Sequence, residues 1–301
     1  MGFIETGYKG KNDWWMYILG STIIFFGTQL GSIPLGLVAF WQAGGDRAVY
    51  IDAANDNFMK MGINANLLLS LMIFTFVSGL FTLFLSVKYI HKKKFKWIVT
   101  SRVSIDWKRV SFGFFSWGIL STLIILVGIY FEPELYDWNF KPIPFFTLLA
   151  ISLFFLPLQT STEEVLFRGY FMQGLGLLVN NRWFPLLMTS VIFGLLHMAN
   201  PEIDKIGNIA LVFYIGTGLF FGIATLMDDG LELALGLHAS NNIVAAFLVT
   251  TDWTVFQTDA LFIDKSEPSV SLLMFLPVFV LYPVMLFWFS KKYNWKNWKE
   301  K

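Results

Sequence analysis

The stretch Thr162-Glu163-Glu164-Val165-Leu166-Phe167-Arg168-Gly169-Tyr170 sets two adjacent carboxylates and a guanidinium inside a chain that is otherwise apolar. Residues 144–158, just before it, carry no charge. A charged side chain at the centre of a bilayer costs at least ~2.5 kcal/mol. Three such groups within six residues therefore need a chemical reason.

Composition supplies the setting. The chain has 301 residues, of which 55% are hydrophobic and only 14% charged, against roughly 25% charged in soluble domains. This composition predicts an all-α, polytopic membrane helix bundle. Apolar segments of spanning length, about 20 residues, fall at 14–41, 67–90, 110–130, 144–178, 184–198, 206–227, 231–250 and 271–290. Trp14, Trp15, Trp107, Trp183, Trp288 and Trp295 stand at the ends of such runs, as interfacial aromatics do. A formal net charge of +1 gives no field that would draw nucleic acid. The absence of cysteine excludes disulfides, thiolate chemistry and cysteine-ligated metals. The first apolar run is long and reads as a retained span, not a signal peptide.

Basic residues set the orientation. The connection 91–109 carries Lys92, Lys93, Lys94, Lys96, Arg102, Lys108 and Arg109, and the C-terminus carries Lys291, Lys292, Lys296, Lys299 and Lys301. The alternate connections, 44–66, 131–143 and 252–270, lean acidic. Eight crossings then put both termini in the cytoplasm of a multi-pass plasma (inner) membrane protein. The acidic loops 44–66 and 252–270 are candidates for contacts with a protein partner subunit, against the plainer reading of solvated loops. The chain divides into N-terminal helices (1–142), a core (143–250), and a last section (251–301) of outer loop, final helix and basic tail. A helix over 144–178 would run about 50 Å at 1.5 Å per residue, so a kink is expected near Pro157. The competing geometry is a re-entrant helix starting at Ser161.

Spacing separates the two glutamates. Glu164 and Arg168 are four apart and can pair along a helix. Glu163 points elsewhere and has no local partner in this reading. There are three histidines. His91 lies in the basic connection and reads as solvated or headgroup-facing. Lys92–Lys96 read as topology-setting charge, with anionic lipid headgroups as an alternative partner. His197 and His238 fall in apolar runs, where an ionisable residue points to function. The turn at 180–182 makes the helices of Glu163 and His197 antiparallel. The two residues lie about 27 and about 24 Å from that turn at 1.5 Å per residue, at nearly one depth. His238 and Asn242 share a helical face, and Ser240 and Asn241 could line the same cavity. Gly216, Gly218 and Gly222 suit close helix packing. No symmetry-related second half supports a transporter.

Glu163-Glu164-x-x-x-Arg168, Phe193-x-x-x-His197 and His238-x-x-x-Asn242, in this order on successive apolar runs, resemble the CPBP superfamily. This is the family of CAAX prenyl endopeptidases and bacteriocin-processing or immunity (Abi) proteins. The resemblance covers about 145–248. It implies a glutamate-dependent intramembrane endopeptidase fold. By position, Glu163 resembles the water-activating residue, assisted by His197. His238 and Asn242 resemble the oxyanion-stabilising pair, and Glu164 and Arg168 the supporting residues. The substrate implied is a membrane-associated peptide or protein, lipid-modified in the prenyl-protease branch. A non-proteolytic scaffold, accessory subunit or immunity protein is the alternative. The chemistry requires no cofactor: Glu163 and His197 can pass one proton, while a neutral His238 and the Asn242 amide stabilise the oxyanion. Zinc held by Glu163, His197 and His238 is the competing arrangement, although no His-Glu-x-x-His motif is present.

Overall fold

The computed structural model describes residues 2–55 and 57–296. Lys299 and Lys301 of the expected basic tail lie outside the described residues. Eight long helices occupy the eight apolar runs: α1 (Trp14–Gln42), α2 (Ala65–Ile90), α3 (Trp107–Phe131), α4 (Pro142–Val179), α5 (Trp183–Ala199), α6 (Asn208–Asp228), α7 (Glu232–Phe247) and α8 (Leu272–Lys292). Six are long and apolar enough to cross a bilayer, and α5 and α7 are shorter. The chain is thus an integral, polytopic helical membrane protein.

The connections sort onto two faces. On one, the amide of Lys11 donates to the carbonyl of His91 (2.8 Å), and Thr100 bridges to Gly230. The Trp295 indole reaches Asp228 there (2.9 Å), and Arg182 approaches Glu5 (3.9 Å). The N-terminus, the basic connection, both tight turns and the C-terminal tail therefore share one side, the side that charge assigns to the cytoplasm. On the other face a small sheet forms from β1 (Tyr136–Trp138), β2 (Val249–Thr250) and β3 (Phe262–Asp264) in the order β1-β3-β2. β1 pairs with β3 antiparallel and β2 with β3 parallel. Part of the loops expected to be plainly solvated is thus hydrogen-bonded structure.

α4 breaks where its proline requires. Pro157 has no N–H to give the carbonyl of Leu153, and the helix interrupts at Phe155 (φ −105°, ψ −37°). It then runs unbroken through Glu163 and widens to a π-helix over Val165–Phe171. Such widenings occur often at functional sites. The result is a kinked crossing and not a re-entrant helix. It ends at Asn180, which adopts the left-handed conformation that closes the helix (φ 48°).

α7 is the central helix. Leu233 and Leu237 pack with Trp117, Phe220 and Tyr282 on one side of it. Ile243 and Ala246 pack with Leu69, Ile73, Leu148 and Leu156 on the other. Close approach to α3 depends on glycine: a Cβ on Gly113 would lie 2.6 Å from the carbonyl oxygen of Leu233. Centrality explains the shortness of α7, since a helix wrapped by protein needs no lipid-facing length. The apolar stripe Ile18, Phe25, Leu30 and Leu37 of α1 is exposed, as a lipid-facing surface must be. Gly216 packs against Val278, while Gly218 and Gly222 pack against Ser190 and Leu186, so the small-residue stripe seats α6 between α8 and α5.

Candidate functional site

Glu164 and Arg168 pair as their spacing requires, at 3.0 Å, both fully buried. The same Glu164 Oε1 also accepts from His238 Nδ1 (2.8 Å), so Glu164 joins α4 to α7 as well as to its own helix. Arg168 Nη2 donates to the carbonyl of Gly218 (3.1 Å), and its guanidinium lies over the Phe193 ring (4.3 Å). Side chains or backbone from α4, α5, α6 and α7 thus meet on one ion pair.

Glu163 differs from its neighbour. Its side chain is 15% exposed, against 0% for Glu164. It has a local partner, contrary to the sequence reading: Gln159, one turn earlier, donates Nε2–H to Glu163 Oε1 at 2.6 Å. Glu163 Oε2 lies 3.5 Å from His238 Nε2, too long for a good hydrogen bond. Gln159 Oε1 accepts from Asn242 Nδ2 (2.9 Å). Asn242 Oδ1 accepts from Asn241 Nδ2 (3.1 Å), and Asn241 Oδ1 accepts from the Trp117 indole (3.0 Å). Gln159 was legible in principle, since i,i+4 pairs meet on a helix. No local signal marks Trp117, 124 residues from its partner in the chain.

His238 tautomerism follows from Glu164. A carboxylate paired to arginine has no proton to give, so Nδ1 of His238 carries the hydrogen. A neutral ring then turns a lone pair from Nε2 towards Glu163. With that tautomer, a donor at Nε2 requires the imidazolium. His197 gives Nδ1–H to the carbonyl of Phe193 (2.8 Å), which leaves Nε2 as an acceptor. Its ring stacks on Tyr214 (centroids 4.1 Å apart). Tyr214 and Asn200 both donate to Glu202, whose second oxygen accepts from the amide of Val255 (3.1 Å). The Phe193 ring lies 4.9 Å from His197 and 6.0 Å from His238, centroid to centroid. Among the described residues no hydrogen bond joins His197 to Glu163.

Three further expectations change. Ser240 is fully buried and bonds back to the carbonyl of Leu237 (3.0 Å), away from the polar chain. His91 is only 1% exposed, held between the carbonyl of Lys11 (2.8 Å) and Tyr170 Oη (2.9 Å). Burial, with Lys93 nearby, pushes its pKa down, opposed by the Lys11 carbonyl. Lys93 is also buried, 4% exposed, with its ammonium on Asn12 (3.3 Å), and burial pushes its pKa down to about 8. The basic connection is folded into the protein, not spread on headgroups, at these two positions. Among the described residues no group of three or more His, Asp or Glu side chains is placed to hold a metal. Glu163, His197 and His238 do not form such a group among the described residues. A groove of ≈ 440 Å³ opens between α1 and α4, lined by Asn12, Tyr17, Ile18, Phe171 and Leu175, and includes none of Glu163, His197, His238 and Asn242.

Residues 143–244 match the family model described as type II CAAX prenyl endopeptidase Rce1-like. Over 293 residues the chain is 28% identical to the uncharacterized protein YyaK of Bacillus subtilis (strain 168), covering 94% of this chain and 95% of that protein. No solved structure matches. By its three motifs and by this match, the chain is similar to the CPBP family of membrane endopeptidases over residues 143–244, as the sequence analysis expected.

Proposed function

We propose that the chain is an intramembrane endopeptidase. It hydrolyses a peptide bond in a membrane-associated peptide or protein, with the site in the cytoplasmic half of the plasma membrane. One observation carries this reading: of two adjacent glutamates, one is locked into a buried ion pair. The other keeps a partly exposed oxygen in a 3.5 Å gap opposite an imidazole. A network that only held helices together would have no use for that gap.

In the proposed reaction Glu163 is a carboxylate and His238 an imidazolium, with Nδ1–H on Glu164 and Nε2–H directed into the gap. Water enters beside Glu163, and His197 Nε2 accepts one of its hydrogens and holds it in line. Glu163 takes the other hydrogen as the water oxygen attacks the scissile carbonyl carbon. The oxyanion is stabilised by His238 Nε2–H and by the free N–H of Asn242, whose other N–H is spent on Gln159. Preorganised donors of this kind are worth about 2.7–4 kcal/mol each. Glu163 then returns its proton to the leaving nitrogen, the C–N bond breaks, and an acid and an amine result. Arg168 keeps Glu164 ionised, and Glu164 keeps His238 in register.

The test uses the full chain in proteoliposomes with internally quenched peptides ending in a CAAX-type tail, farnesylated or bare. In H₂¹⁸O, one label is expected in the new carboxylate. Glu163→Gln is expected to lower kcat/KM by roughly 10²–10⁴, the usual contribution of a positioned acid–base. Cleavage at an unchanged rate in that variant would sink the mechanism. A host phenotype that survives it intact would favour the scaffold or immunity alternative.

A further inference from the structure

Trp117 lies on α3, outside the segment that matches the protease family, yet it is joined to Glu163 by an unbroken run of polar contacts. An indole has one N–H and no acceptor, so the Asn241 atom facing Trp117 must be the oxygen. Asn241 then has only N–H groups left, and the atom of Asn242 it faces must be an oxygen. By the same step Asn242 turns N–H groups to Gln159, and Gln159 turns N–H to Glu163 Oε1. The indole donor at one end and the acceptor-only carboxylate at the other thereby orient the three amides in the same direction, with Trp117 fixing the Asn241 end.

We propose that Trp117 is a positioning residue. Through Asn241, Asn242 and Gln159 it makes Asn242 present an N–H to the substrate carbonyl and makes Glu163 receive its proton on Oε2. This rests on the endopeptidase reading of the site. With Oε1 occupied by the Gln159 donor at 2.6 Å, a proton on that oxygen would oppose an N–H, which leaves Oε2 for the transferred proton. Oε2 is the oxygen facing His238. If the chain ran in reverse, Asn242 would turn a carbonyl towards the substrate oxygen and repel the developing charge. The N-terminal helices would then be part of the catalytic apparatus and not an appendage to it. Trp117 is itself well held, buried between Phe220 and Tyr282 with ring centroids 6.4 and 5.5 Å away.

The titratable and charged groups around Glu163 are Glu164 and Arg168 on its own helix, Tyr214 on α6 and His238 on α7. Its protonation can be followed by infrared difference spectroscopy of the full chain in lipid nanodiscs across pH, with the carboxyl band assigned by its loss in Glu163→Gln. Gln159→Leu removes the donor to the carboxylate and is expected to raise the midpoint by about one pH unit or more. Trp117→Phe keeps a ring but removes the N–H. It should move the midpoint the same way by a smaller amount, and lower kcat on the farnesylated peptide about tenfold with KM unchanged. Asn241→Leu breaks the chain one link further on and gives the same readout if Trp117→Phe does not fold. A purely packing role for Trp117 would lower the melting temperature and leave the midpoint in place. Unmoved midpoints in both Trp117→Phe and Asn241→Leu, or no carboxyl band that depends on Glu163, would overturn the proposal. Undiminished cleavage in Glu163→Gln would instead overturn the endopeptidase reading.

Discussion

Two buried ion clusters sit at different levels of this protein and are built on opposite plans. On the basic face, Asp228 Oδ1 is taken by Arg109 and by the Trp295 indole, and its Oδ2 by Arg102 (3.0 Å). Glu232 gives one oxygen to Arg102 (3.0 Å) and the other to the amide of Asp106 (3.3 Å). Every carboxylate oxygen there is committed, and the groups come from the basic connection, the α6–α7 turn and the C-terminal tail. Between the helices, Glu164 commits only Oε1, to Arg168 and His238, and its buried Oε2 has no partner among the described residues, while Glu163 has Oε1 on Gln159 and Oε2 opposite His238 on a partly exposed side chain. A saturated cluster fastens segments together. A cluster with a partly exposed, uncommitted carboxylate, held in place by a fully buried ion pair, can exchange a proton with something else.

The comparison is broken most severely at Arg168. Arg168→Met leaves the fully buried Glu164 without its guanidinium, and about 3–5 kcal/mol of stability is expected to be lost. That would be read as a large fall in melting temperature in detergent and poor membrane yield. Near-wild-type melting would mean that Glu164 is not charged, and the proposed protonation scheme would fail with it.

Lys93 gives the next largest effect, of opposite sign. Its folded-state pKa of about 8 lies below the ordinary 10.5, a gap that corresponds to ~3 kcal/mol. Below pH 8 the ammonium is charged in both states and the burial penalty is complete. Between pH 8 and 10.5 the folded protein sheds a proton that the unfolded chain keeps, so stability rises with pH. Lys93→Met should therefore raise stability at neutral pH by up to ~3 kcal/mol and flatten that rise. Parallel melting curves for variant and parent from pH 7 to 10 would refute this.

Asp228→Asn tests the saturated cluster itself. Its arginine partners are partly open to water and can be resolvated, so the loss should stay at ~1–3 kcal/mol, without change in the pH dependence of cleavage. Glu163→Gln should be the mildest for the fold, within ~1 kcal/mol by melting, although the proposed mechanism expects it to lower cleavage most. If Glu163→Gln destabilised as much as Asp228→Asn, the two clusters would be of one kind and the contrast would vanish.

What could be read without the structure follows the range of the forces involved. Spans, kink and parity of crossings depend on apolar length, on the missing N–H of Pro157 and on charge placement, all properties of contiguous residues. The Glu164–Arg168 pair follows from helical spacing alone. His91 and Lys93 misled because a positive, polar stretch looks solvated in any local reading. Their burial depends on residues 4–12 folding across them, including Lys11 and Asn12. The contact of His238 Nδ1 with Glu164 lies between two helices and has no local signal.

The sequence by itself determined that this chain crosses the membrane as a helical bundle, and that its ionisable residues recur at the spacing of the CPBP motifs. Hydrophobic length and helical periodicity are local quantities, and they decide both. Only the tertiary structure decided which glutamate pairs with the arginine and which is partly exposed, which nitrogen of His238 faces Glu164, and that Trp117 from α3 joins the polar chain. Those depend on donor and acceptor directions across helices far apart in the chain, and only the packed arrangement of α3, α4, α6 and α7 fixes such directions.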